Sequence, residues 1–246
     1  MRALVSMSLV IWMTAADVSA QAKSQNVDLK SSDGVVLKAS YYSPGKRGPG
    51  IVLFHQCSEG ASRRLWDRFA KDLVDAGFHV ITFDFRGYGD TGGPFPTLPL
   101  PPPPGPGEVW GIPSQPDVDG DAALAYLTSQ KDVDRARLAT GGASCGALNA
   151  SNLAARTPSI KALLLLSGLP STSAVGHIGR TPSLAVFVAF AEQDMGDSPI
   201  RKVAMQSKSP QSVTRAYPGA DHGVALLSTH PELTTTIVKW LEAQLK

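Results

Sequence analysis

Apolar and polar residues fall along this chain in two distinct rhythms. From Val27 to Tyr42 polarity alternates on either side of Ser32-Asp33-Gly34. That pattern predicts two antiparallel strands joined by a tight turn at Asp33-Gly34. Ile51-Val52-Leu53-Phe54 is instead continuously apolar, as a strand covered on both faces of a parallel sheet must be. Phe78 to Phe85, Arg137 to Thr140, Ile160 to Ser167 and Leu184 to Phe190 repeat that apolar run, and Ser212 to Tyr217 adds a short last strand. Helical spacing appears between them. Leu65, Trp66, Phe69 and Leu73 share one face of a helix that runs from a Ser62 cap to Ala76, with Gly77 as its stop. Further helices are predicted from about Asp119 to Gln130, over Leu148 to Ala155, and from Thr234 to Leu245. Strands alternating with helices predict an α/β fold: a mostly parallel central sheet of about eight strands, with helices on both faces.

Two stretches break the rhythm. At the start, Arg2 precedes an apolar run from Ala3 to Met13, and Val18-Ser19-Ala20 closes the segment with small residues. A charged start, a short hydrophobic core and a small-residue site describe a secretory signal peptide over 1–20. The run is too short to span a bilayer. The expectation is an exported protein, secreted or periplasmic, with residues 21–246 as one domain and no stable membrane anchor after cleavage. The second break is Pro94 to Pro116, which holds Pro101-Pro102-Pro103-Pro104 and cannot enter a sheet interior. It is expected to be a loop insertion at the surface, with a flap beside the cleft as the alternative. Composition fits this picture: 43% of residues are hydrophobic and 18% charged, enough to build one full core. A formal net charge of +2 with scattered Lys and Arg gives nucleic acid no basic face to bind.

Chemistry concentrates at Gly142-Ala143-Ser144-Cys145-Gly146, between an apolar strand and an Ala/Leu-rich helix. A strand that becomes a helix within a few residues needs strained backbone at the turn and small flanking residues. Ser144 at the apex would hold its hydroxyl above the sheet, and the Cys145 N–H would lie at a helix start, where anions are stabilised. Phosphate binding or tight packing alone would also use such a turn. A catalytic serine needs a base, usually a histidine held by a carboxylate. Of the five histidines, His79, His177 and His230 lack a carboxylate-ended strand to orient them, and His55 is placed to shape a loop at the sheet edge. His222, in the small-residue loop Pro218 to Gly223 after the last strand, is the best base. Asp194, just past Phe187-Val188-Ala189-Phe190, is the acid, with Asp197 second.

The order Ser144, Asp194, His222, together with Asp84-Phe85-Arg86-Gly87-Tyr88-Gly89 and a His55-containing loop, resembles the α/β-hydrolase superfamily. Its dienelactone-hydrolase-like and esterase-like branches are the nearest. The resemblance runs from about Asp33 to the C-terminus. It implies an α/β-hydrolase fold, an acyl-enzyme mechanism on small carboxylic esters, and no metal or other cofactor. Two positions depart from the pattern: Gln56 stands where the oxyanion loop usually has Gly, and Ala191 where a Gly precedes the acid's loop. By position the oxyanion donors are the backbone N–H groups of Cys57 and Cys145, with Ser58 the alternative to Cys57. Donors so placed would bring the two cysteines within disulfide range, where a bond would pin the oxyanion hole; two buried thiols are the other possibility. In dienelactone hydrolases the nucleophile is a cysteine, and Cys145 fills that role only if the apex moves one residue. Only Ser171 to Thr181 occupy the place of a lid, so an open cleft and small soluble esters are expected. A peptidase or amide hydrolase of the same fold, or a binding protein that retains it, are the alternatives.

Overall fold

A computed structural model describes residues 23–93, 116–195 and 198–245 of the chain. The expected signal peptide at 1–20, nearly all of the Pro-rich segment and Asp197 lie outside the described residues. Eight strands form one sheet in the order β1-β2-β4-β3-β5-β6-β7-β8. They are β1 (Lys23–Lys30), β2 (Val36–Ser43), β3 (Gly48–Phe54), β4 (His79–Phe83), β5 (Val133–Ala143), β6 (Ile160–Leu166), β7 (Ala185–Ala191) and β8 (Val213–Tyr217). β1 and β2 pair antiparallel, and β2 pairs antiparallel with β4; every pairing from β4 to β8 is parallel. The parallel strands therefore end on one edge, where loops rather than side-chain packing decide what is exposed.

Residues of each central strand face two separate cores in strict alternation. Val52, Phe54, Leu163, Leu165, Val186 and Val188 pack on one face. There they meet α2 (Asp117–Ser129), α3 (Cys145–Arg156), α4 (Thr172–Ile178) and α6 (Ile200–Gln206). Ile51, Leu53, Leu164, Leu166 and Phe187 point the other way, onto α1 (Asp67–Asp75), α7 (Leu226–Thr229) and α8 (Pro231–Gln244). A four-residue helix, α5 (Glu192–Met195), follows β7 directly. Burial on both faces is what the continuous apolar runs required.

Several elements differ from expectation. The predicted helix from Ser62 is a 3-10 turn, Arg63–Trp66, that leads into α1, and the Ser62 side chain caps nothing. The Arg63 N–H donates instead to the buried Asp84 carboxylate at 2.6 Å, and the Arg63 guanidinium pairs with the same carboxylate. That ion pair, 3% and 0% exposed, shapes the turn. β5 begins at Val133, four residues early, because Val133 pairs with Gly48 across a register shift. The stretch in the lid's place holds α4, capped by the Ser171 hydroxyl accepting from the Ala174 N–H.

Candidate active site

Ser144 occupies the turn between β5 and α3 with φ 54° and ψ −123°, backbone angles that an L-residue adopts only when its surroundings force them. The forcing contacts are backbone ones. The Ser144 N–H donates to the Leu166 carbonyl of β6 at 2.8 Å. A Cβ on Gly142 would collide with the Gly146 carbonyl, and one on Gly146 with the carbonyls of Phe54 and His55. Gly168 is held as tightly, against the Ser144 carbonyl. Three strand ends and a helix thus meet at a point with no room for side chains, and the serine stays half-buried there.

Asp194 lies in α5, just beyond the end of β7, and its carboxylate meets His222 Nδ1 at 2.8 and 3.0 Å. An ionised carboxylate only accepts, so Nδ1 carries the proton and Nε2 presents its lone pair. His222 has extended backbone at the head of a short 3-10 turn, Gly223–Ala225. Its loop is tied down at several points. Gln193 N–H donates to the Gly219 carbonyl at 2.9 Å, and His230 Nε2 lies 3.1 Å from the Pro218 carbonyl oxygen. Gly223 has φ 64°, and a Cβ on it would sit 3.5 Å from the Ala143 Cβ. The residue after His222 therefore packs beside the residue before Ser144. Among the described residues no hydrogen bond joins the Ser144 hydroxyl to His222; such contacts tighten when substrate displaces solvent from a site.

The loop after β3 completes the cluster. Cys57 and Cys145 form a disulfide, with Cα atoms 5.8 Å apart, and no free cysteine remains. The bond fixes the open question of the thiols and removes Cys145 as a nucleophile, since its sulfur is consumed. It also sets the Cys57 backbone beside the first residue of the twelve-residue α3. Two neighbours of Cys57 are anchored as well. His55 Nε2 accepts the Phe85 N–H at 3.1 Å, which leaves the proton on Nδ1 for the Gln56 carbonyl at 2.6 Å. Burial pushes the His55 pKa down to about 4, so the ring is neutral and acts as a spacer rather than a base. Gln56 Oε1 accepts the Val224 N–H at 3.3 Å, and its amide donates to Ser58 Oγ at 3.2 Å.

Gln56 is the residue whose part the sequence did not reveal. It stood out only as a departure from glycine, and its partner is 168 positions away. The remaining histidines are occupied elsewhere. His79 is buried between the Tyr41 hydroxyl at 2.7 Å and the Lys46 carbonyl at 3.0 Å, and its pKa is lowered by burial. His177 meets Thr181 within α4 and the residues after it.

The family model described as alpha/beta hydrolase fold matches residues 49–178, a stretch that includes Cys57, Ser144 and Cys145 and stops short of Asp194 and His222. An uncharacterized protein of Mycobacterium tuberculosis is 33% identical over 159 residues, 63% of this chain and 49% of its own length. The chain spans about half the length of the curated relatives it matches. Among solved structures, the esterase Pf2001 of Pyrococcus furiosus superposes with a TM-score of 0.70 at 15% identity, covering 91% of this chain and 93% of its own. An esterase of Pyrobaculum calidifontis does so with 0.65 at 17%, covering 91% and 86%. These matches carry the superfamily and single out no branch within it, the dienelactone-hydrolase-like one included.

Proposed function

Because the chain belongs to the alpha/beta hydrolase fold family, we propose that it is an exported serine hydrolase of small carboxylic esters, with Ser144, His222 and Asp194 as its triad. The observation that carries this reading is the Asp194–His222 pair, with His222 in a loop whose Gly223 packs against the residue before Ser144, the serine held at a positive-φ turn.

In the first half-reaction His222 Nε2 takes the Ser144 proton as Oγ attacks the ester carbonyl. The N–H groups of Cys57 and Cys145 stabilise the oxyanion; each such donor is worth roughly 10²–10³ in rate where it has been removed from other hydrolases. His222 then gives its proton to the departing alcohol. Water repeats the sequence on the acyl-enzyme and releases the acid. Asp194 keeps Nδ1–H pointed inward and offsets the imidazolium charge. The preference for small soluble esters is supported by α4, whose seven residues occupy the place of a lid. Export is supported by the leader-like 1–20 segment and by the disulfide, a bond typical of oxidising compartments.

The test is a series of p-nitrophenyl esters, acetate to laurate, beside matched p-nitroanilides, with wild type and Ser144→Ala. The expected result is turnover of the short esters alone, abolished in the variant. Preference for the anilides would shift the assignment to an amide hydrolase, and equal turnover by the variant would remove the serine mechanism.

A further inference from the structure

The segment His55-Gln56-Cys57 is fastened in three directions by three consecutive side chains. His55 bonds the Phe85 N–H beyond β4, Gln56 bonds the Val224 N–H two residues past His222, and Cys57 is covalently joined to Cys145 beside Ser144. No helix or strand holds these residues, since β3 ends at Phe54 and the next regular turn begins at Arg63. A segment without its own secondary structure keeps its position only through such ties. We infer that the Cys57–Cys145 disulfide and the Gln56 amide are positioning elements for the reaction, and that the enzyme reaches its full turnover only when the disulfide is closed. The inference rests on the reading of Ser144 as nucleophile and assigns it a control that reading does not contain.

The physical reason lies in what the ties hold. Oxyanion donors act on charge that develops only in the transition state, so a shift in their position changes kcat and leaves substrate affinity nearly untouched. Cys57 contributes its backbone N–H, and the only covalent restraint between that backbone and α3 is the disulfide. A misplacement of about 1 Å can cost up to ~100-fold in rate. Gln56 acts on the opposite side, through the backbone that follows His222. Replacing it by Leu leaves the Val224 N–H without that acceptor and frees the histidine loop from the oxyanion loop. Opening the bond is a two-electron exchange. A dithiol such as dithiothreitol gives up two electrons and two protons, Cys57 and Cys145 become thiols, and the dithiol closes into its own cyclic disulfide. Cys57 is half-buried, whereas Cys145 is 2% exposed.

The experiment compares the full chain oxidised, reduced with dithiothreitol and then reoxidised, with thiol content confirmed by mass. Cys57→Ser/Cys145→Ser and Gln56→Leu serve as reductant-free counterparts. Each is assayed for kcat and KM on a short p-nitrophenyl ester, for affinity toward a trifluoromethyl ketone, and for near-ultraviolet circular dichroism at the assay temperature. Reduction and the double variant are expected to lower kcat about tenfold with KM within about twofold. Trifluoromethyl ketone affinity should fall by the same factor as kcat, and reoxidation should restore both. Gln56→Leu is expected to lower kcat by a smaller factor, about threefold. Unchanged kcat in protein with two free thiols overturns the inference. So does a fall in kcat that merely tracks the loss of folded protein, because the bond then stabilises without positioning. Labelling by a fluorophosphonate separates the two layers. Failure to label oxidised protein at Ser144 sinks the nucleophile, whereas equal labelling rates in both redox states sink only the positioning role.

Discussion

The two halves of the site are built by different means. The half with the proposed nucleophile, at the ends of β3, β5 and β6, is crowded to the limit: glycines face carbonyls, a serine is held at positive φ and a disulfide closes the gap. The proposed acid–base half, at the ends of β7 and β8, is open. The His222 side chain is 42% exposed, Asp194 belongs to a four-residue helix, and β8 is a partly exposed edge strand. Hydrogen bonds, rather than backbone collisions, hold that side. The difference teaches where each kind of precision is needed. A nucleophile must sit at one point relative to the oxyanion donors, whereas an imidazole has to move a proton between two partners and tolerates a looser mount. Substitutions should therefore act differently in the two halves: in the open half on rate with little effect on stability, in the crowded half on stability as well.

The largest effect separating the halves is expected from Asp194→Asn. The amide can offer its N–H₂ to Nδ1, which favours the wrong imidazole tautomer, so kcat should fall by about 10³–10⁴-fold. Because the pair is partly solvated, His222 at 42% and Asp194 at 17% exposure, the urea midpoint should move little, a loss within about 1 kcal/mol. A drop of more than that in equilibrium unfolding would mean the acid–base half also carries the fold. Gly146→Ala probes the other side. Helix propensity favours Ala over Gly by about 1 kcal/mol, yet the new Cβ must displace the carbonyls of Phe54 and His55. A net destabilisation of about 1–3 kcal/mol is expected, measured by urea unfolding. A stabilised variant would contradict the crowding described for this turn.

How much of this was legible in the sequence follows the same division. Continuous apolar runs and the alternating hairpin marked seven of the eight strands, because burial on two faces or one leaves a period in the order of residues; the partly exposed β8 reads only as a short last strand. The strand-end placement of Ser144, Asp194 and His222 was equally readable, since turn glycines and apolar runs flank each of them. What escaped were features fixed by distant partners. The turn at Arg63 follows from a buried carboxylate 21 positions away, and the start of β5 from a register shift against Gly48. α6 escaped because seven residues with Ile200, Val203 and Ala204 inward show too little of a helical period. His55 was read as shaping a loop; its bond to the Phe85 N–H is a tertiary contact that no local pattern contains.

A pH-dependent effect sharpens the account of the crowded half. His55 is neutral in the folded protein with a pKa of about 4, against ~6.5 in the unfolded chain. The unfolded state takes up the proton first as pH falls. Its contribution is therefore fully present above about pH 6.5 and is lost progressively between there and pH 4, about 3 kcal/mol in all. Urea unfolding between pH 7 and pH 4.5 should show a steeper loss for wild type than for His55→Phe, which has no proton to gain. Parallel slopes would mean that the ring is not held neutral.

The central claim is that one hydroxyl, on Ser144, is made nucleophilic by His222. The most direct measurement is intact and peptide mass after reaction with a fluorophosphonate, for wild type, Ser144→Ala and His222→Ala. The account predicts one adduct on wild type, located on Ser144, none on Ser144→Ala, and labelling slowed by at least ~10³-fold in His222→Ala. An adduct on another residue, or undiminished labelling without His222, would contradict it.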